Sequence, residues 1–202
     1  ISFSMLKLML IDKLKNYTIT LGSASPRRKQ LLTELGIEFS IKTTQKEEKY
    51  PENLDGAEIA EFLAKQKAEV ISKELTGNYL LITADTIVIQ NNEILHKPKD
   101  KDEAQRILQN LSGKSHKVIS GVCIKSAKKE VVFSSETEVT FNKLSEDEIR
   151  FYIEKFKPFD KAGSYGIQQW IGYIGIEKIK GSYNNVVGLP TAELYQKLKL
   201  FI

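Results

Sequence analysis

The chain has 202 residues, 41% hydrophobic and 28% charged, with 30 basic residues against 26 acidic ones. That is enough for a buried core, and the net charge of +4 suits a small anionic substrate, but the signs are too mixed for a nucleic-acid surface. No apolar run approaches the ~20 residues that span a bilayer, and Cys123 with only His96 and His116 excludes both an intrachain disulfide and a closed Cys/His zinc site.

The opening stretch, residues 1–10, is apolar but has no basic leader and no small-residue cleavage site, so no signal peptide is expected. Met5 and Met9 each offer a start, and residues 1–16 are expected to be an extension or expression remnant on one domain spanning 1–202. Residues 17–21 alternate as a strand. Ser25 reads as an N-cap with Pro26 in the first helical position, Leu31, Leu32 and Leu35 as the buried stripe, and Gly36 as the stop. Residues 39–55 are polar and read as a loop. A helix is expected over 57–75, ending at Gly77. A strand over 79–83 resumes over 86–90 and runs to an Asn91-Asn92 turn.

Residues 100–111 form the next expected helix, closed by Gly113. Residues 118–124 and 131–141 pair as a hairpin over Lys128-Lys129. Ser145 and Glu148 make a capping box for a helix ending near Phe156. A loop over 157–164, a strand over 173–179 and a final helix from Thr191 complete the order. Helices mixed with strands, some in hairpins, imply an α/β fold with a mixed sheet.

The segment Gly22-Ser23-Ala24-Ser25-Pro26-Arg27-Arg28 carries the strongest chemical signal. It sets small residues and two guanidinium groups at a helix start, where backbone N–H groups are unsatisfied and anions are favoured. Arg27, Arg28, Arg106 and Arg150 are the only arginines in a lysine-rich chain. A phosphate cradle and a plain cap with surface charges are both open. Asp85 interrupts two apolar strand segments, either as a turn aspartate or as a carboxylate that holds a divalent metal or takes a proton from water. Lys67 lies between Leu63 and Ile71 at i, i+4 spacing, inside an apolar stripe, where it snorkels outward or reaches an anion in a cleft. Lys97, between a hairpin and a helix, is placed to reach over a phosphate chain. The Gly-, Tyr- and Gln/Asn-containing segments 159–168 and 181–190 have the side chains to stack on and read a base. With so few nitrogen and sulfur ligands, a bound metal is expected on oxygens, as magnesium or manganese, and a reducing cytoplasm is the expected setting.

Taken in order, these segments resemble the Maf family of nucleotide pyrophosphatases. The resemblance runs through Ser23-x-Ser25-Pro26-Arg27-Arg28, Glu48-x-x-Pro51, Ala64-Lys65-Gln66-Lys67-Ala68 and Ala84-Asp85-Thr86-Ile87-Val88. It continues through His96-Lys97-Pro98, Leu111-Ser112-Gly113-Lys114-Ser115-His116, Glu136-Thr137-x-Val139-Thr140-Phe141, Asp160-Lys161-Ala162-Gly163 to Gln168, and Gly181-Ser182-Tyr183 to Pro190. It implies an elongated mixed sheet with flanking helices and two lobes around a deep cleft, similar to inosine triphosphate pyrophosphatases. It also implies a divalent cation, Mg²⁺ or Mn²⁺, and a homodimer.

By the same resemblance Asp85 is the general base, and Ser25, Arg28, Glu48, Lys67 and Lys97 line the phosphate and metal end, with Glu48 and Asp85 as metal ligands. Arg27, Thr86 and Gln168 stand where family branches differ and look like the branch that hydrolyses dTTP and UTP. Two departures are Ser120-Gly121, where Thr-Gly is common, and Trp170, whose ring is expected to alter the base end of the cleft. The alternatives are a house-cleaning pyrophosphatase for modified or purine triphosphates, and a non-enzymatic regulator of septum formation. A DNA-binding role has no basic, aromatic-interleaved helix to support it.

Overall fold

A computed structural model describes residues 9–44 and 49–202. Helix α1 (Leu10–Leu14) leads into strand β1 (Thr18–Leu21). Helix α2 (Pro26–Glu34) begins where the Ser25 hydroxyl accepts the Arg28 backbone N–H, and it ends before Gly36, whose φ of 73° suits a residue without a Cβ. The two-residue strand β2 (Ser40–Ile41) follows. Asp55 and Glu58 form a capping box that starts helix α3 (Gly56–Ile71). Strand β3 (Tyr79–Gln90) turns at Asn91 and Asn92, with φ of 51° and 65°, into β4 (Glu93–Ile94).

Helix α4 (Lys101–Leu111) precedes the long hairpin of β5 (Ser115–Lys125) and β6 (Glu130–Phe141). Helix α5 (Glu146–Phe156) starts on the Ser145/Glu148 box. Then come α6 (Trp170–Gly175), β7 (Ile176–Lys180), α7 (Tyr183–Val187) and α8 (Thr191–Phe201). The mixed α/β class is as expected. The strand expected over 173–179 starts later, because Trp170 to Gly175 closes a helical turn first. Leu10 and Leu14 are buried in the main core, so part of the expected N-terminal extension packs with the fold.

One seven-stranded sheet runs in the order β2-β1-β3-β5-β6-β7, with β4 paired to β3. The β1 and β2 pairings are parallel and the rest antiparallel. The largest core cluster includes residues of β1, β3, β5, β6 and helices α2, α4, α5 and α8. Helix α3 covers the other face with Ile59, Ala60, Leu63, Ala64, Ala68 and Ile71.

Two features of this sheet create the site. First, β3 does not break at Asp85: it pairs with β5 without interruption, Asp85 lying opposite Gly121. The polar residues that look like a break in sequence are side chains with partners, while the backbone ladder continues beneath them. Second, β1 stops at Leu21, opposite Ile82, and no described strand pairs with that edge of β3 again until Ile89 meets β4. Successive side chains of a strand point to opposite faces. Where the neighbouring strand has ended, both faces open to one space around the edge.

Helix α3 lies unusually close to the sheet at this point. A Cβ added to Gly121 would fall 2.1 Å from the Ala60 carbonyl. The Thr83 hydroxyl donates to the Ala64 carbonyl at 2.6 Å. Small residues at 60, 64 and 68 let the helix settle there, which lowers the next residue on that side, Lys67, onto Asp85.

Candidate active site

The chain leaves β1 through Gly22, whose N–H still donates to the Ile82 carbonyl at 2.7 Å. The short run to α2 then turns the helix start towards the open edge of β3. The Ser23 hydroxyl accepts the Ser25 N–H at 3.2 Å and the Arg28 Nη1 at 3.3 Å. Arg28 also donates Nε to the Gly188 carbonyl at 2.8 Å and Nη2 to Thr86 Oγ1 at 2.9 Å. Its guanidinium is therefore fixed in the wall by three separate segments. Thr86 in turn shares hydrogen bonds with Ser120 Oγ at 2.8 Å and Gly188 O at 3.4 Å, so its hydroxyl is fully engaged in holding Arg28.

Gly188 is placed by α7. The fully buried Asn185 donates to Val118 O and to Thr137 Oγ1, both at 3.0 Å, and its own carbonyl accepts Ser120 Oγ at 3.2 Å. The φ of Gly188, 129°, lies where a side chain is strained, which explains glycine at the point that meets Arg28.

On the other face of β3, Lys67 Nζ donates to Asp85 Oδ1. Asp85 is 7% exposed, and the two side chains face each other in a largely desolvated corner. A buried carboxylate is costly unless paired, and the ammonium compensates it while constraining its orientation.

These groups line a cavity of about 460 Å³. The described residues expected from sequence to bind substrate or act in catalysis lie on its wall: Ser25, Arg27, Arg28, Lys67, Asp85, Thr86, Lys97 and Gln168. Glu48 lies outside the described residues. The wall also takes in Thr43, Thr44, Asp160 and Lys161, and an apolar part made by Val88, Val118, Tyr165, Ile167, Val186 and Val187. Lys97 is exposed at the rim and has no ion-pair partner among the described residues. The wall thus combines the cations and helix-start N–H groups of Ser25, Arg28, Lys67 and Lys97 with apolar side chains against which a ring could pack.

Tyr165 is held from behind: its hydroxyl meets His116 Nε2 at 2.7 Å, and its ring stands edge-on to Phe141 at 5.0 Å. Desolvation keeps His116 neutral, its pKa lowered to about 4. Trp170 does not reach the cavity. It packs edge-on against Phe151 at 4.9 Å, while Gln169 Oε1 accepts the Tyr152 hydroxyl at 2.5 Å, so the expected influence of that ring on the base end is not seen.

A magnesium or manganese ion bound mainly through substrate phosphates and water needs only one or two protein carboxylates. Asp85 on the cavity wall, with one oxygen turned to Lys67 and a second in the same carboxylate, fits that demand.

Residues 18–201 match the family described as Maf-like protein. This chain belongs to the Maf family. Its Maf relatives include the dTTP/UTP pyrophosphatase of Flavobacterium psychrophilum, 49% identical over 187 residues that cover 93% of this chain and 96% of that protein. The dTTP/UTP pyrophosphatase of Parabacteroides distasonis is 48% identical over 193 residues, covering 95% and 100%. Among solved structures, the Staphylococcus aureus Ham1 protein covers 89% of this chain and 99% of its own at 16% identity, with a TM-score of 0.48.

Within the Maf sequence, the residues that reading by motif leaves without a role are Ser120, Asn185, His116 and the Asp160-Lys161 pair. Ser120 and Asn185 act through Thr86 and Gly188, a dependence that only the packing of α7 on β5 creates.

Proposed function

We propose that this cavity hydrolyses nucleoside triphosphates, dTTP and UTP foremost, to the monophosphate and pyrophosphate. The observation that carries this reading is the meeting of Asp85, Lys67, Arg28 and the Ser25 helix start on one wall, brought there from three distant parts of the chain. The names of the relatives support the same substrates.

In this reading the Ser25–Arg28 turn and Lys97 receive the phosphate chain, with backbone N–H groups and fixed cations offsetting its charge. Lys67 holds one oxygen of Asp85 and leaves the other to face a water placed in line with the α-phosphorus. As the water oxygen bonds to phosphorus, Asp85 takes its proton; the bond to the bridging oxygen breaks and pyrophosphate leaves with the electron pair. Positioning and fixed charge supply most of the rate gain, as in phosphoryl transfer generally. Arg28 needs no reorganisation, since Thr86, Ser23 and Gly188 already orient it. A divalent cation held by Asp85, with Glu48 as the second proposed ligand, would add charge neutralisation on the phosphate oxygens.

Arg27 and Gln168, with the engaged Thr86 fixing the wall between them, would favour a pyrimidine. A homodimer in the cytoplasm is the proposed setting; Cys123 is a buried free thiol, which a reducing compartment tolerates. No described helix is long and apolar enough to cross a membrane.

The test is a panel of canonical and modified triphosphates with Mn²⁺, following pyrophosphate separately from orthophosphate. Pyrophosphate from dTTP and UTP is expected. Preference for inosine or xanthosine triphosphate would replace the pyrimidine assignment, and inactivity on the whole panel would remove the enzymatic one.

A further inference from the structure

Lys161 is only 8% exposed. Lysines are almost never buried without a partner, and its partner is Asp160, whose Oδ1 accepts its ammonium at 2.5 Å. Asp160, however, is 60% exposed. A lysine needing only that carboxylate would reach it from solvent at less desolvation cost. Instead its stem is drawn inward across Gly166, where an added Cβ would lie 3.0 Å from Lys161 Cε. The other oxygen of Asp160 takes Arg27 Nη1 at 3.2 Å. One carboxylate thus ties together two cations on the cavity wall.

Desolvation pushes the Asp160 carboxyl up, but the bond from Lys161 and the charges of Lys161 and Arg27 outweigh it and hold the group below its ordinary value. The cavity already meets a phosphate chain with Arg28, Lys67 and Lys97, which leaves Lys161, its charge met by Asp160, for another part of the substrate. Such a lysine is well suited to a neutral acceptor. Lys161 also belongs to the same loop as Tyr165, Ile167 and Gln168, beside the apolar part of the wall.

We propose that Lys161 is a specificity-determining residue: it donates a hydrogen bond to the 4-carbonyl oxygen of uracil or thymine, with Asp160 positioning it, and so excludes cytosine. An ammonium has donors only, whereas cytosine presents an amino donor at that position. Gln168 cannot make this distinction alone, because a side-chain amide can turn to offer either its oxygen or its nitrogen. The inference rests on the pyrimidine triphosphate reading of the cavity.

The experiment compares kcat/KM for dTTP, dUTP and dCTP, with Mn²⁺, in the wild type and in Lys161→Met, which keeps the stem and removes the donor. The wild type should prefer dTTP and dUTP over dCTP. The variant should lose about tenfold or more of that preference, mostly through slower dTTP and dUTP turnover, the scale expected when a polar substrate group loses its charged partner. The ratio of two substrates on one preparation does not depend on how much of the variant is folded. Asp160→Asn should shift the ratio in the same direction by less. An unchanged ratio in Lys161→Met, or equal losses on all three nucleotides, overturns the assignment. If the wild type releases pyrophosphate without preferring dTTP over dCTP, this inference alone falls; if it releases none, the underlying reading falls with it.

Discussion

The ammonium of Lys67 on α3 donates to the carboxylate of Asp85 on β3, at the place where β1 has ended and the sheet edge lies open. One oxygen of the proposed base is thereby committed to orientation. Asp85→Asn should keep the shape of the wall and remove the proton acceptor. Turnover of dTTP is expected to fall by ~10²–10⁴, the contribution typical of a positioned base, while the affinity for nucleotide, measured by calorimetry, changes little. Near-normal turnover would take the base role from Asp85.

Gly121 lies opposite Asp85 and beneath Ala60. A methyl group there would meet backbone atoms of Ala60 at 2.1 Å and Glu61 N at 2.4 Å, which cannot swing aside as a side-chain tip can. Gly121→Ala should therefore destabilise the protein by about 1–3 kcal/mol or more, as overpacking does. By lifting α3 it should also weaken the contact between Lys67 and Asp85. A denaturant midpoint equal to that of the wild type would show that the helix has room the geometry does not indicate.

His116 resists protonation in the folded state, its pKa lowered to about 4 by burial. Once unfolded it titrates near the ordinary value of 6.5. Between those values the unfolded chain binds the extra proton, so stability from this group is full above pH 6.5 and is lost as pH falls towards about 4. The loss is on the order of 3 kcal/mol. Melting temperatures across this range should fall with pH more steeply for the wild type than for His116→Phe. Parallel curves would mean that the imidazole is not the group responsible.

Much of this site is legible before folding because its signals are local. Ser25 caps the helix that Pro26 begins, and Ser145 with Glu148 starts another, since both motifs are written within four residues. The spacing of Leu63, Lys67 and Ile71 places a lysine within an apolar stripe, and it is there that Lys67 meets Asp85. What the pattern does not carry is the depth at which α3 sits, which depends on Gly121 meeting Ala60 across more than sixty residues of chain. Asp85 looks like a strand break for the same reason: the ladder beneath it is supplied by β5, not by its neighbours in sequence. Short helices such as α6 and α7 have too few residues to show a period. Lys161 looks like any other lysine until the loop around Gly166 draws it inward.

The central claim is that water attacks the α-phosphorus beside Asp85. Hydrolysis of dTTP by the wild-type protein in ¹⁸O-enriched water, with both products analysed by mass spectrometry, tests it most directly. The label is expected in the thymidine monophosphate, with pyrophosphate unlabelled. Label in the pyrophosphate, or orthophosphate as the first product, would place the attack on another phosphorus and contradict the account.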